Sequence, residues 1–146
     1  MSRPYCKGLT KQQLEEMGIV DVTWNKYLET WVITREWYKN NSKTKRERKT
    51  LIVGSVLARH KYTKDKTYLK VSFSYKNKPV AISLSRLVYA WFREDIPDGY
   101  VIDHKNNNPY DNTLDNLQML TIEQNIRKRF DDLDCKCFNQ YYNTGR

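Results

Sequence analysis

The chain has 146 residues, of which 39% are hydrophobic and 29% are charged, and its formal net charge at pH 7 is +9. This length fits one compact domain with a modest core, and the share of hydrophobic residues excludes a chain that is disordered throughout. The positive charge favours a polyanionic partner, because neutralising phosphates releases counterions. We expect nucleic acid first, with a ribosomal partner or an acidic membrane surface as the alternative.

Neither a membrane span nor a signal peptide is predicted. No stretch approaches the roughly 20 apolar residues of a span, and the N-terminus MSRPYCKGLTKQQ lacks the apolar core of a signal peptide. The three cysteines are an odd number and lack the C-x-x-C spacing of structural zinc sites. We therefore expect a cytoplasmic protein without a disulfide framework and without a membrane partner.

Residues 1–49 are predicted to form a helical segment followed by a basic linker. Thr10 is a suitable N-cap for a first helix that stops at Gly18, and a second helix is expected from Thr23. Four large residues of the second segment follow the i, i+3, i+4, i+7 spacing of a buried helical stripe, namely Trp24, Tyr27, Leu28 and Trp31. Two such helices are similar to a helix-turn-helix, and an ordinary helical hairpin is the alternative. In the former, the groove-facing residues that set sequence preference would be Asn25 and Lys26.

The stretch 39–49, KNNSKTKRERK, has six positive charges against one negative charge and no large apolar residue. It cannot contribute to a core, so we interpret it as a linker or loop. Functionally it could lie along a DNA backbone or enter a minor groove; a solvated hinge is the alternative. The nucleic-acid-binding residues expected here are Lys45, Arg46 and Arg48.

Residues 50–92 are predicted to form three antiparallel strands and a covering helix. Alternating polar and apolar residues in KTYLKVSFSY, followed by a turn at 76–78 and PVAISL, indicate a sheet with one packed face. The helix is expected in SLSRLVYAWF. The other face of the sheet is basic enough to contact nucleic acid, unless its lysines only keep it soluble. The expected contacts are Arg59, Lys61, Lys70, Lys76 and Lys78.

Residues 93–130 combine a strand, a long loop, a second strand and a helix. The turn Pro97-Asp98-Gly99 leads into a short strand that ends at Asp103 and His104. An Asn-rich loop follows, and then a strand over 117–120. The sequence T-I-E-Q at 121–124 has the form of a capping box that starts a helix extending to about residue 129.

This arrangement predicts a hydrolytic site. The Asp103 carboxylate and the Asn125 amide oxygen could converge on one hard cation, since magnesium accepts oxygen ligands and keeps several waters. His104, on the other face of the strand, could act on a water as a general base. The alternative is a hydrogen-bonded polar loop without catalytic function. His60 has no comparable neighbours and is left outside the catalytic set.

These residues resemble the HNH endonucleases with a ββα-metal motif, particularly the homing and free-standing enzymes of bacteriophages. The resemblance covers residues 84–129 and rests on D-H at 103–104, D-N-L at 115–117 and E-Q-N at 123–125. Asn116 follows His104 by twelve positions and Asn125 follows Asn116 by nine. A histidine often stands in these proteins where this chain has Ser85.

The resemblance implies that His104 is the general base, that Asp103 and Asn125 hold the divalent metal, and that Asn116 braces the loop. Asn125 replaces the last histidine of the family motif, so Mg²⁺ or Mn²⁺ is expected rather than zinc. It also implies a phage-encoded protein that acts on double-stranded DNA in a bacterial host cell, without an organic cofactor. The C-terminal helix adds one expected DNA contact, Arg127.

The sequence as a whole predicts an α+β fold, in which a small antiparallel sheet and a helix lead into a C-terminal ββα-metal motif, with a helical segment at the N-terminus. The predicted function is a metal-dependent DNA endonuclease of the nicking or homing-like type. A monomer, which is slightly favoured, would nick, and a double-strand break would need dimerisation or a second binding event. The sequence does not exclude an RNA substrate. The alternative is a non-catalytic DNA-binding or regulatory module on an HNH-like scaffold. No function is assigned to the tail, residues 131–146.

Overall fold

The computed structural model describes residues 7–38, 46–52, 57–59 and 67–133, and these form an α+β fold of small antiparallel sheets and helices. The predicted fold class is therefore confirmed. Within the described residues no helix is both long and apolar enough to span a bilayer. The elements in chain order are α1 (Lys11–Glu16), β1 (Ile19–Asn25), β2 (Thr30–Tyr38), β3 (Arg46–Ile52), β4 (Leu57–Arg59), β5 (Thr67–Tyr75), β6 (Lys78–Ser83), α2 (Leu84–Phe92), β7 (Tyr100–His104), β8 (Leu117–Thr121) and α3 (Ile122–Leu133).

Helix α1 begins and ends where the sequence predicts. The Thr10 hydroxyl accepts a hydrogen bond from the Gln13 amide at 3.1 Å, and the Gln13 side chain accepts one from the Thr10 amide at 2.9 Å. This reciprocal capping box satisfies two amides that have no partner inside the helix. The chain leaves the helix through Gly18, whose φ of 97° is a left-handed conformation that glycine adopts without strain.

The predicted second helix and the helix-turn-helix are wrong. Residues 19–38 form an antiparallel hairpin of β1 and β2 in which Trp24 lies opposite Trp31. The Asn25 side chain accepts hydrogen bonds from the Tyr27 and Leu28 amides at 2.9 and 3.0 Å, so it closes the turn instead of facing a DNA groove. Of the four residues of the predicted stripe only Trp31 is buried.

The predicted linker is also wrong in part, because Arg46–Ile52 form β3, which pairs along β2 from Val32 to Tyr38. The first sheet therefore has the order β1-β2-β3. Residues 39–45, and with them Lys45, lie outside the described residues. The same holds for His60, Lys61, the three cysteines and residues 134–146.

The second sheet has the order β4-β5-β6, and its β5–β6 hairpin follows the predicted alternation. Val71 is buried, while Ser72 and Ser74 are exposed. Arg35 of β2 connects the two sheets: its guanidinium donates to Ser74 O at 3.1 Å and to Met17 O at 2.7 Å, and lies 4.3 Å from the Phe73 ring centroid. Burial lowers the pKa of Arg35, an effect opposed by the charge of Tyr75.

Helix α2 lies at the centre of the core, as the spacing of its apolar residues predicts. It contacts α1, β5, β6 and β7. One hydrophobic cluster joins the N-terminal elements, the β5–β6 hairpin and the C-terminal hairpin through this helix. Its fully buried side chains are Leu14, Ile19, Ile33, Leu84, Leu87, Val88 and Ile96.

Candidate active site

Strands β7 and β8 pair in an antiparallel register that sets Asp103 opposite Gln118 and His104 opposite Leu117. Because successive side chains of a strand point to opposite faces, Asp103 and His104 lie on different sides of the hairpin. Helix α3 packs on this hairpin and contacts both of its strands. The site therefore has a carboxylate side and an imidazole side.

On the carboxylate side, one oxygen of Asp103 has two donors. Asp103 Oδ2 accepts a hydrogen bond from Gln118 Nε2 at 2.8 Å, and the ammonium of Lys128 lies 3.0 Å from the same oxygen. The side chain of Asp103 is only 13% exposed and that of Lys128 23%. Both charges are therefore largely shielded from water. A charge pair in such a partly buried position is screened less than a pair at the surface.

Lys128 also ties α3 to the loop that follows His104. Its ammonium donates to His104 O at 3.2 Å and to Asn107 Oδ1 at 2.6 Å. Asn125 precedes Lys128 by three residues, and residues three apart on a helix share a face. The half-buried Asn125 is therefore on the side of α3 that meets Asp103.

The position of Asn125 depends on how α3 begins. The Thr121 hydroxyl accepts from the Gln124 amide at 3.1 Å, and the Gln124 side chain accepts from the Thr121 amide at 2.9 Å. The predicted capping box is confirmed by these two bonds. It starts the helix directly at the end of β8 and keeps Asn125 within the first turns.

On the imidazole side, His104 Nε2 lies 2.8 Å from Asn112 Oδ1. Asn112 is 4% exposed, and its backbone carbonyl accepts a buried hydrogen bond of 2.8 Å from the indole of Trp31 in β2. Its side-chain amide group faces Pro109 O at 3.4 Å. Asn112 thus connects the imidazole to the β1–β2 hairpin.

The loop between β7 and β8 is held by Asn116, which is 9% exposed. Its Oδ1 accepts from the Asn106 amide at 3.1 Å, and its Nδ2 donates to Asn106 Oδ1 at 2.9 Å and to Asp111 O at 2.8 Å. A buried side chain with three such bonds orders both ends of the loop. This geometry fits the bracing role expected for Asn116.

Asp111 is the one acidic residue of this loop, residues 105–113, and its pKa is lowered. The main cause is the hydrogen bond from the Thr113 hydroxyl, at 2.8 Å, with further contributions from the Thr113 amide, Asn106 and the charge of His104. Burial opposes these effects. The folded loop therefore stabilises the charged form of Asp111.

Asp103 and Asn125 have oxygen donors, the kind of ligand that a magnesium-type ion accepts. Within the described residues no group of three or more His, Cys, Asp and Glu side chains could hold a metal. Mg²⁺ in proteins is usually bound through one or two carboxylates and completes its coordination shell with water and phosphate. The residues that would hold the ion are Asp103 and Asn125.

The predicted DNA-contacting residues lie on several elements. Lys76 is exposed in the turn between β5 and β6, Lys78 is exposed at the start of β6, and the half-buried Lys70 lies on β5. Lys26 is exposed in the β1–β2 turn, and Arg127 is exposed on α3. Strand positions without a described side chain are Arg46, Arg48 and Arg59.

Three residues of the site were not predicted from the sequence: Gln118, Lys128 and Asn112. The position of Gln118 opposite Asp103 can be inferred from the strand register once β8 is taken to begin directly after Asn116. Lys128 follows from the i, i+3 spacing to Asn125. Asn112 had no signal beyond its place in a polar loop, because its partner Trp31 lies 81 residues earlier in the chain.

The hairpin of β7 and β8 together with α3 is a ββα unit that contains Asp103, His104 and Asn125, as the resemblance to nucleases implies. In agreement with this, residues 84–127 match the family model described as HNH endonuclease. The match spans α2 to the first half of α3 and includes the four predicted site residues, which confirms the resemblance. It supports nuclease activity in general. Comparisons with curated proteins and with solved structures gave no significant match.

Proposed function

We propose that this protein is a divalent-metal-dependent endonuclease that hydrolyses phosphodiester bonds of double-stranded DNA and nicks one strand per active site. The observation that carries the proposal is the arrangement at the end of β7. Asp103 has two donors, Lys128 of α3 and Gln118 of β8, and His104 faces Asn112 on the opposite side. A phosphate bound at this strand end would meet a metal-binding side and a base side.

In this proposal His104 removes a proton from the attacking water. Asn112 Oδ1 accepts from Nε2, so the other ring nitrogen, Nδ1, has the lone pair that takes the proton. Asp103 and Asn125 would hold a Mg²⁺ or Mn²⁺ ion, and such an ion, when bound, would supply Lewis-acid stabilisation of negative charge on the phosphate. Asn116 keeps the loop in place through its three hydrogen bonds.

Binding of DNA is attributed to the net charge of +9 and to basic residues outside the site. We assign phosphate contacts to Lys70, Lys76, Lys78 and Arg127, and a contact near the β1–β2 turn to Lys26. The chain would act in the cytoplasm of a bacterial host as a phage-encoded, monomeric enzyme. Arg46, Arg48 and Arg59 remain proposed contacts on their strands.

A second candidate function is favoured by the ammonium of Lys128, which lies 3.0 Å from Asp103. A lysine at this distance neutralises the carboxylate without a metal ion. In that case the ββα unit is an architectural scaffold, and the chain is a non-catalytic DNA-binding module.

The experiment is incubation of supercoiled plasmid with the intact protein in Mg²⁺, in Mn²⁺ or in EDTA, with a structured RNA in parallel. We expect nicked plasmid with either metal, none with EDTA and no cleavage of the RNA. Isothermal titration of Mn²⁺ into the parent and into Asp103→Asn should give binding only for the parent. Plasmid that is bound but never nicked under either metal would refute the enzyme and support the scaffold.

A further inference from the structure

Trp31 connects the N-terminal hairpin to the candidate active site. It lies in β2, outside the residues that match the nuclease family, yet its indole Nε1 donates a buried hydrogen bond of 2.8 Å to Asn112 O. An indole N–H can only donate and a backbone carbonyl can only accept. The direction of this bond is therefore unambiguous.

The contact between Asn112 and His104 determines which ring nitrogen of His104 has the proton. The amide NH₂ group of Asn112 faces Pro109 O, which can only accept, so Oδ1 is the atom that faces His104. Nε2 must then donate across the 2.8 Å contact. In the neutral imidazole this leaves the lone pair on Nδ1, the arrangement that a base acting through Nδ1 requires.

The indole itself is held on two sides. Trp24 packs edge-on against it with ring centroids 5.3 Å apart, and Phe92 at the end of α2 lies 5.2 Å away. Trp31 is 7% exposed and is paired across the hairpin with Trp24. Because the ring is packed by two elements, its N–H group is a fixed donor rather than an adaptable one.

We propose that Trp31 is a positioning residue of the active site: it fixes Asn112, and through Asn112 the tautomer and orientation of His104. The inference rests on the proposed function, in which His104 is the base. It makes the β1–β2 hairpin part of the catalytic unit, although this hairpin is remote in sequence from the nuclease motif. We expect DNA affinity not to depend on Trp31, because its indole N–H is hydrogen-bonded to Asn112 O.

The first test replaces Trp31 by phenylalanine, which keeps an aromatic ring and removes the N–H donor. Trp24→Phe is the matched control, because it also removes an indole N–H but keeps an aromatic ring against Trp31. For Trp31→Phe we expect kcat for plasmid nicking to fall about tenfold, given how steeply rate depends on placement of a catalytic group, with KM and DNA affinity unchanged. Trp24→Phe should have the parent's kcat.

The second readout is the tautomer of His104, which does not depend on cleavage. The chain has two histidines, so His60→Gln leaves His104 as the single imidazole for ¹⁵N NMR at a pH where it is neutral. We expect the Nε2–H tautomer in this background and with Trp24→Phe added, and a mixture of tautomers with Trp31→Phe added. Asn112→Asp should keep the Nε2–H tautomer because it retains the acceptor, and Asn112→Leu should lose it.

If Trp31→Phe does not fold, 3-benzothienylalanine at position 31 keeps the shape of the ring and replaces the N–H by sulfur. An unchanged tautomer and unchanged kcat in a folded protein without this N–H would overturn the inference, as would an equal loss in Trp24→Phe. A parent that nicks no DNA refutes the proposed function, while the NMR comparison still decides whether Trp31 orders His104.

Discussion

Two cations compete for the carboxylate of Asp103. One is the ammonium of Lys128, at 3.0 Å, and the other is the divalent ion that the proposed function requires. Two cations close to one carboxylate repel each other, and this repulsion is larger in a partly buried site than in water. Lys128 is also a structural residue, because it holds His104 O and Asn107 Oδ1. The single residue therefore links metal affinity to the order of the loop.

Replacement Lys128→Met should lower the Mg²⁺ concentration needed for half-maximal nicking, because Asp103 loses its competing cation while the side chain keeps its length. Lys105→Met is the matched control, since Lys105 is exposed in the same loop and should leave this concentration unchanged. Titration of Mg²⁺ in the plasmid assay measures both. A higher Mg²⁺ requirement in Lys128→Met would mean that the loop anchor outweighs the charge.

Asp111 makes the stability of the loop dependent on pH. Its pKa is lowered in the folded protein, mainly by the Thr113 hydroxyl, so its contribution to stability is present above the unfolded pKa and is lost as pH falls through the folded value. Thr113→Val should therefore destabilise the protein more at about pH 6 than at about pH 3. Urea denaturation at the two pH values measures this, and an equal loss at both would contradict it.

At the scale of elements, the sequence predicts the features that depend on interactions between residues close together in the chain. The N-cap at Thr10, the capping box at Thr121, the alternation in β5 and the apolar face of α2 are all contained within a few residues of chain. The β1–β2 hairpin was missed because its spacing of large residues is shared by a helix, and the pairing of Trp24 with Trp31 is a cross-strand contact. The β-branched residues on both sides of the turn, among them Val22, Thr23, Thr30 and Val32, were the signal that favoured strands.

The site also contains residues that a local pattern predicts and contacts that it does not. Asp103, His104, Asn116 and Asn125 were named from spacing in one continuous segment. Their contacts with Gln118 and Lys128 needed strand register and helix phase, which a sequence pattern contains only indirectly. Trp31 reaches Asn112 through packing between distant segments, and no local pattern encodes such a contact.

The turn after α1 provides a test of element geometry with a built-in control. Gly18 and Gly99 both have positive φ, 97° and 86°. A Cβ at Gly18 would collide with Glu36 O, whereas nothing lies within 4 Å of a Cβ at Gly99. Gly99→Ala should cost only the left-handed conformation, about 1–2 kcal/mol of unfolding free energy. Gly18→Ala should cost about 3 kcal/mol, because collision adds to strain. Equal losses in urea denaturation would contradict the close approach of β2 to this turn.

At the scale of the molecule, the basic residues and the active site have separate tasks. In the proposed function, positive charge on the β5–β6 hairpin would supply sequence-independent affinity, and the end of β7 would supply the chemistry. The joint replacement of Lys70, Lys76 and Lys78 by glutamine should weaken binding to unrelated duplexes equally. It should also flatten the slope of log K against log salt by about 3, one phosphate contact per lysine. An unchanged slope would move the DNA surface away from this hairpin.

The most direct test of the central claim is the single-turnover rate of plasmid nicking in Mg²⁺ for the parent and His104→Ala, with the chain's other histidine, in His60→Ala, as matched control. A general base contributes about 100-fold or more to rate, so His104→Ala should nick at least about 100-fold more slowly while it binds DNA as tightly as the parent. His60→Ala should nick at the parent rate. A His104→Ala protein that nicks as fast as the parent would contradict the assignment of His104 as the catalytic base.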